Sequence, residues 1–222
     1  MPLTSEERTY ESLREQILGG EFPRGEFLSQ RMLAARTESS VVTVRAVLRR
    51  LENEGLLENV PRWGVRIPAE SVEAIRDRYF MRETLEVAAV RRIAGKLDPG
   101  QASTLKSLAA ECDSVPREGE EAVRRFAAVH AQLHLGIAGC AGSPLLKSFL
   151  RRINFRSMML MNASRGWARG RDTGPTHHQD LVSAIVSGGA GNATREMRKH
   201  VRRGLTGELE ALRSDQGAGD SE

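Results

Sequence analysis

The sequence predicts a mainly α-helical chain in two parts: three short helices closed by a two-stranded ribbon over residues 1–70, then an all-α bundle over residues 71–214, with residues 215–222 as a flexible tail. Three observations carry this. Apolar residues recur at helical spacing in three short segments before residue 55. Two short extended runs then flank a Pro-Arg-Trp turn. From Ser71 onward the pattern is helical throughout.

Each element has its own signals. Tyr10, Leu13, Ile17 and Leu18 form one stripe of a first helix over residues 8–19, which Gly19 and Gly20 terminate. After a turn at Pro23-Arg24-Gly25, Ser29 caps a short second helix whose apolar positions are Met32, Leu33 and Ala35. Ser40 is the next N-cap, and a third helix over 41–54 buries Val44, Val47, Leu48 and Leu51 while Arg45, Arg49 and Arg50 point elsewhere; Gly55 ends it. The runs Leu56–Val60 and Gly64–Ile67, joined by Pro61-Arg62-Trp63, complete a winged helix-turn-helix in which the second and third helices read DNA and the ribbon is the wing. Further helices fall near 71–95, 99–114, 119–139, 144–168, 174–188 and 193–213, with a break at Gly188–Asn192. Asp98-Pro99 and Ser143-Pro144 each set a capping side chain before a proline at the first helical position, where a missing N–H is harmless.

Composition narrows the class without naming a partner. The 222 residues are 40% hydrophobic and 28% charged, which excludes collagen-like, disordered and disulfide-stapled chains. Apolar runs such as Met158–Met161 are far too short to span a bilayer, and the first residues have no apolar core of a leader peptide, so a cytoplasmic protein with no membrane partner is expected. Cys112 and Cys140 lack metal-binding spacing and are read as small buried hydrophobes. The formal net charge is +4, yet residues 1–70 balance 10 Arg against 11 acidic side chains, so bulk charge is silent about nucleic acid.

The motifs Tyr10–Glu26, Leu28–Ala34, Val44–Leu57 and Pro61–Ile67, in that order, closely resemble the DNA-binding domain of GntR-family bacterial regulators, and the helical remainder resembles the FCD ligand-binding domain of the FadR subfamily. The resemblance implies a homodimeric transcription factor, here expected to be a repressor, that binds a palindromic double-stranded operator and answers to a small organic acid. It carries DNA contacts onto Arg31, Arg45 and Gly64, with Arg49, Arg62 and Trp63 as neighbours. An arginine fork suits guanine O6 and N7 or a phosphate, and a glycine lets the wing backbone approach the minor groove. One departure stands out: Val41 occupies a position where the family generally has a base-contacting arginine.

Histidines supply the second constellation. His130 and His134 lie one turn apart on one helix face, while His178 and His200 face inward by apolar periodicity on the last two helices. The resemblance to the FCD metal pattern selects these four over His177, with His130 standing where the family has Asp. Four imidazoles favour a divalent transition metal such as Zn or Ni over Mg or Ca, and they leave its charge for an anionic effector to compensate. Arg82 matches a family arginine that faces the ligand cavity, although a surface ion pair with Glu86 fits its spacing nearly as well. Asn154, Arg152 and Arg156 are further pocket candidates. No catalytic residue is assigned. A metal-dependent hydrolase would use the same histidines, but Ala131 follows His130 where a zinc protease needs its glutamate base; a winged-helix protein-interaction adaptor is a third reading.

Overall fold

The computed structural model describes residues 3–116, 118–163 and 177–219, with side chains described throughout these except at 159–163 and 215–219. They fall into two compact units, Met1–Glu70 and Ser71–Glu222.

In the first unit, α1 spans Ser5–Leu18, starting before the expected residue 8. Thr4 and Glu7 form a capping box there, Glu7 N–H donating to the Thr4 hydroxyl at 3.1 Å and Thr4 N–H to the Glu7 carboxylate at 2.8 Å. These bonds, led by the backbone one, lower the Glu7 pKa. Tyr10, Leu13, Ile17 and Leu18 are buried as the stripe predicts. Helix α2 is Gln30–Arg36, capped by Ser29, and α3 is Val41–Asn53, capped by Ser40. In α2 the buried pair is Leu33 and Ala34, whereas Met32 and Ala35 are exposed. Seven residues are two turns, too few for periodicity to fix which side faces inward. Helix α3 buries Val44, Val47, Leu48 and Leu51, mostly against α1.

Strand β1 (Glu58–Val60) pairs antiparallel with β2 (Gly64–Arg66) in the register Glu58 to Arg66, Asn59 to Val65 and Val60 to Gly64. The ribbon is shorter than its apolar pattern suggested. Leu56 still donates its N–H back to the Leu51 carbonyl at 3.0 Å, and both Leu56 and Leu57 are core residues. The outer edge of β2 is covered: Leu28 N–H bonds to Val65 O and Gly25 N–H to Ile67 O, each at 2.9 Å.

The second unit is all helix among its described residues. Its elements are α4 (Val72–Ile93), α5 (Pro99–Ser114), α6 (Glu120–Cys140), α7 (Pro144–Ala163), α8 (His177–Ser187) and α9 (Ala190–Gly219). The expected parts of α7 and α8 at 164–168 and 174–176 lie outside the described residues. Helix α9 packs extensively on α4; α6 packs on α7 and α5, and α8 on α5 and α9. Ile75, Leu105, Leu133, Ile137, Leu150 and Leu181 fill the core. Gly204 permits a close α9–α4 contact, because a Cβ there would stand 3.0 Å from the Tyr79 hydroxyl.

Two expectations fail in α9. It begins inside the Gly188–Asn192 break, since Gly and Asn weaken helix interiors but sit here in the first turn, where Ala193 N–H already bonds Gly189 O at 3.2 Å. It also continues through residues 215–219, where the polar, glycine-containing composition predicts a flexible tail. Ala211 and Leu212 are still buried, and each residue added beyond them extends a nucleated helix by one hydrogen bond. Residues 220–222 lie outside the described residues. Cys112 is buried as expected, but Cys140, in the last turn of α6, is only half-buried.

Candidate functional site

Two groups of candidate residues occupy the two units. In the winged unit, Val42, Arg45, Ala46 and Arg49 are all exposed and lie at i, i+3, i+4 and i+7, a single solvent-facing stripe of α3. Arg45 Nε donates to Gln30 Oε1 at 3.4 Å, which links the stripe to α2, where Arg31 is also exposed. Arg50 is different: its guanidinium lies 3.4 Å above the Tyr10 ring and pairs with Glu54, so it serves packing.

At the wing tip Arg62, Trp63 and Gly64 are exposed. Arg62 has φ 72° and Gly64 φ 99°, so the turn holds a non-glycine residue in the left-handed region. Trp63 is 72% exposed, and its outer position is steadied by stacking on Phe27, ring centroids 5.7 Å apart. Arg66 extends the stack, with its guanidinium 5.6 Å from the Phe27 ring while it pairs with Glu58.

In the bundle, α6 brings His130 and His134, α8 His178 and α9 His200 to one place. His134 Nε2 lies 3.1 Å from His130 Nε2 and 2.9 Å from His200 Nε2. One ring nitrogen from each of His130, His178 and His200 falls within 4.8 Å of the others. Carboxylates stand behind two of the rings. His134 Nδ1 contacts Glu86 of α4, which also accepts from Arg82 Nε at 2.6 Å. Asp113 of α5 takes His178 Nδ1 at 2.6 Å and the backbone N–H groups of His178 and Gln179 at 3.1 and 3.0 Å, so one carboxylate caps α8 and orients its histidine.

Burial keeps three of these rings neutral. Burial lowers the pKa of His130, His134 and His200, with neighbouring histidines and Arg82 adding to it, although Glu86 opposes the shift at His134. Burial alone would raise the Glu86 pKa; His134 and Arg82 hold it down at about 2. An ionised Glu86 accepts only, so His134 carries its proton on Nδ1 and presents a bare Nε2 lone pair to two neighbouring Nε2 atoms. His200 Nδ1 is buried with no hydrogen-bond partner among the described residues. Converging neutral imidazoles with under-satisfied nitrogens fit a divalent transition ion, whose ligand nitrogens at ~2.0–2.1 Å stand roughly 3.3 Å apart in a tetrahedral shell.

Arg82 answers the question left open by its spacing: the pair with Glu86 exists, and it is in the core, with Arg82 only 2% exposed. Its Nη1 donates to the Tyr79 hydroxyl at 3.4 Å, and Tyr79 in turn donates to Glu208 at 2.7 Å, beside the Arg78–Glu208 ion pair. Arg82 Nη2, Asn154 Nδ2 and Ser157 Oγ are buried without hydrogen-bond partners among the described residues. Arg152 is exposed and Arg156 half-buried, so the inward polar groups of α7 are Asn154 and Ser157. His177 is half-buried at the cluster's margin, its Nδ1 2.7 Å from Arg203 and its pKa lowered to about 3, chiefly by burial.

Sequence reasoning missed Glu86 and Asp113 as partners of the histidines. Glu86 was visible only as the i+4 neighbour of Arg82, and Asp113 lies 65 residues before His178, beyond any local pattern. Nor does the cluster stand as an uncompensated all-imidazole shell, because these two carboxylates bear directly on its rings.

A winged helix-turn-helix with an arginine-bearing recognition face, followed by an all-helical unit, defines a DNA-binding transcriptional regulator. Residues 5–67 match bacterial regulatory proteins of the gntR family and residues 77–203 match the FCD domain; the chain belongs to the GntR family, in the GntR-plus-FCD architecture of the FadR subfamily. It is 23% identical over 205 residues to an HTH-type transcriptional regulator in an unstable DNA locus of Streptomyces ambofaciens, covering 90% of this chain and 83% of that one. With the HTH-type transcriptional regulator YdhC of Bacillus subtilis it shares 25% identity over 145 residues, 65% of this chain and 64% of that one. Its fold resembles a GntR transcriptional regulator from Rhodococcus sp. RHA1 (TM-score 0.75, 20% identity, 93% and 98% of the two chains) and E. coli McbR/YncC (TM-score 0.68, 17% identity, 96% and 99%). Among the described residues no helix is long and apolar enough to cross a membrane.

Proposed function

We propose that this regulator is a homodimeric repressor of a palindromic operator, whose DNA affinity is set by a small organic acid held at a metal-containing histidine pocket. The convergence of His130, His134 and His200 Nε2 atoms, with Glu86 and Asp113 fixing two of the four rings, carries the reading. A bound Zn or Ni ion would supply an electrophilic position for the effector's carboxylate. Arg82 and Asn154 are buried donors, each with an atom unpartnered among the described residues, suited to a second acceptor group on that acid. In the winged unit, Arg45 and Arg49 present forks for base edges, while Arg31, Arg62, Trp63 and Gly64 supply backbone and groove contacts. Two-fold pairing of the chain provides the second half-site that a single short recognition helix lacks.

The test is elemental analysis of the purified chain beside His134→Ala and His178→Ala, followed by titration of each operator complex with a carboxylate panel. The expected result is about one metal ion per chain, lost in both variants together with the response to the acid, while basal operator binding persists. A metal-free wild type under metal-replete conditions, or an unchanged response in both variants, rejects the pocket. Sedimentation of a monomer that still binds one half-site tightly rejects the dimer.

A further inference from the structure

Val42 is 75% exposed, although every other valine and leucine of α3 beyond the first residue is buried. It is the second residue of the recognition helix, on the same stripe as Arg45, and N-terminal residues of a recognition helix are those that meet base edges. The polar groups beside it are already engaged. The Ser40 hydroxyl accepts the Thr43 N–H at 3.0 Å and is bonded to the Thr43 hydroxyl at 2.8 Å, so both are tied into the cap. The side chain that projects furthest from the first turn of α3 toward a groove is therefore an isopropyl group.

In the major groove every base pair presents hydrogen-bonding groups, and the one apolar feature is the C5-methyl of thymine. An isopropyl group set against any other edge strips water from a donor or acceptor without replacing it, which is unfavourable. We propose that Val42 selects thymine in each operator half-site by packing on its C5-methyl. This rests on the operator-binding reading above. A rise of ~1.5 Å per residue separates Val42 from Arg45 by roughly 4.5 Å along the helix axis, against about 3.4 Å per base step, so the thymine falls one or two base pairs from the base that Arg45 reads. Ala46 adds one methyl group to the same stripe.

Duplexes selected by the full chain from a random pool define the operator; each thymine is then replaced in turn by deoxyuridine, which deletes the methyl group alone. The expected result is one thymine per half-site, within two base pairs of a pair whose recognition needs Arg45, at which replacement weakens binding roughly fourfold, the worth of one buried methyl group. Val42→Ala should bind the thymine and deoxyuridine duplexes equally, and Val42→Ile should keep the discrimination. Insensitivity of every thymine, or the same thymine-to-deoxyuridine ratio in Val42→Ala as in the wild type, overturns the inference while Arg45-dependent binding stands. Enrichment of no duplex overturns the operator-binding reading itself and this inference with it.

Discussion

The winged unit holds its candidate binding residues out in solvent, whereas the bundle holds its own in the core. Arg45, Arg49 and Trp63 project from a framework completed by Leu13, Val44, Leu48 and Leu51. His134, Arg82, Glu86 and Glu208 are themselves part of the framework: Glu86 joins His134 to Arg82, Arg82 reaches Glu208 through the Tyr79 hydroxyl, and His134 meets His200, so the buried network runs across α4, α6 and α9. A contact face of the first kind can change without disturbing the fold. In the second kind the candidate site and the stability of the unit share the same atoms, so a substitution in the cluster disturbs the fold as well as the proposed ligand.

The largest effect should come from Glu86→Ala, which leaves the Arg82 guanidinium and His134 Nδ1 buried without their acceptor; urea denaturation should register a loss of about 3–5 kcal/mol. A loss under ~1 kcal/mol would erase the contrast, since the cluster would then be as dispensable to folding as a surface face.

Acid should separate the units next. His130, His134 and His200 have folded pKa values below 6.5 and His177 about 3, so the unfolded chain binds protons that the folded bundle refuses. Stability is fully present above pH 6.5 and is lost as pH falls toward the folded values, and Glu86 extends the loss from pH 4.5 toward about 2. All five histidines belong to the bundle. Hydrogen exchange on EDTA-treated protein between pH 7.5 and 5, corrected for intrinsic rates, should show loosening in α6 and α9 with α1 and α3 unaffected; equal loosening in both units would contradict the assignment.

Arg45→Ala should act in the opposite sense, weakening operator binding by about 1–3 kcal/mol with the thermal transition unmoved. Unchanged affinity at physiological salt would remove α3 as the reading helix. The smallest change expected is a gain: Arg62→Gly relieves a left-handed residue at the wing and should stabilise the chain by about 0.5–1 kcal/mol while reducing DNA affinity evenly across sequences. A destabilised variant would mean that the Arg62 side chain packs against the unit.

This contrast also explains what could be read in advance. Helices α1 and α3 and their caps were legible because amphipathic period and capping are local properties, carried by Leu13 and Ile17 or by Ser40 and Thr43 within one or two turns. The four histidines were legible in part for the same reason: His130 and His134 share a face. Whether Arg82 paired with Glu86 on the surface or in the core could not be read from four residues of spacing, because its burial is imposed by helices distant in sequence. Asp113 with His178, and Arg78 with Glu208, are pairings that only the assembled bundle creates. The overlong ribbon and the misread α2 face mark elements too short for their period to speak.

The Arg78–Glu208 pair spans 130 residues of chain. On a ribosome adding ~5–20 residues per second, α4 therefore waits from several seconds to roughly half a minute for the helix that neutralises its buried arginine. The winged unit, whose core is complete by Ile67, has no such wait. During synthesis a chain with a formed recognition face precedes its own bundle, and the unsheathed side of α4 is where a chaperone would find purchase on the nascent protein.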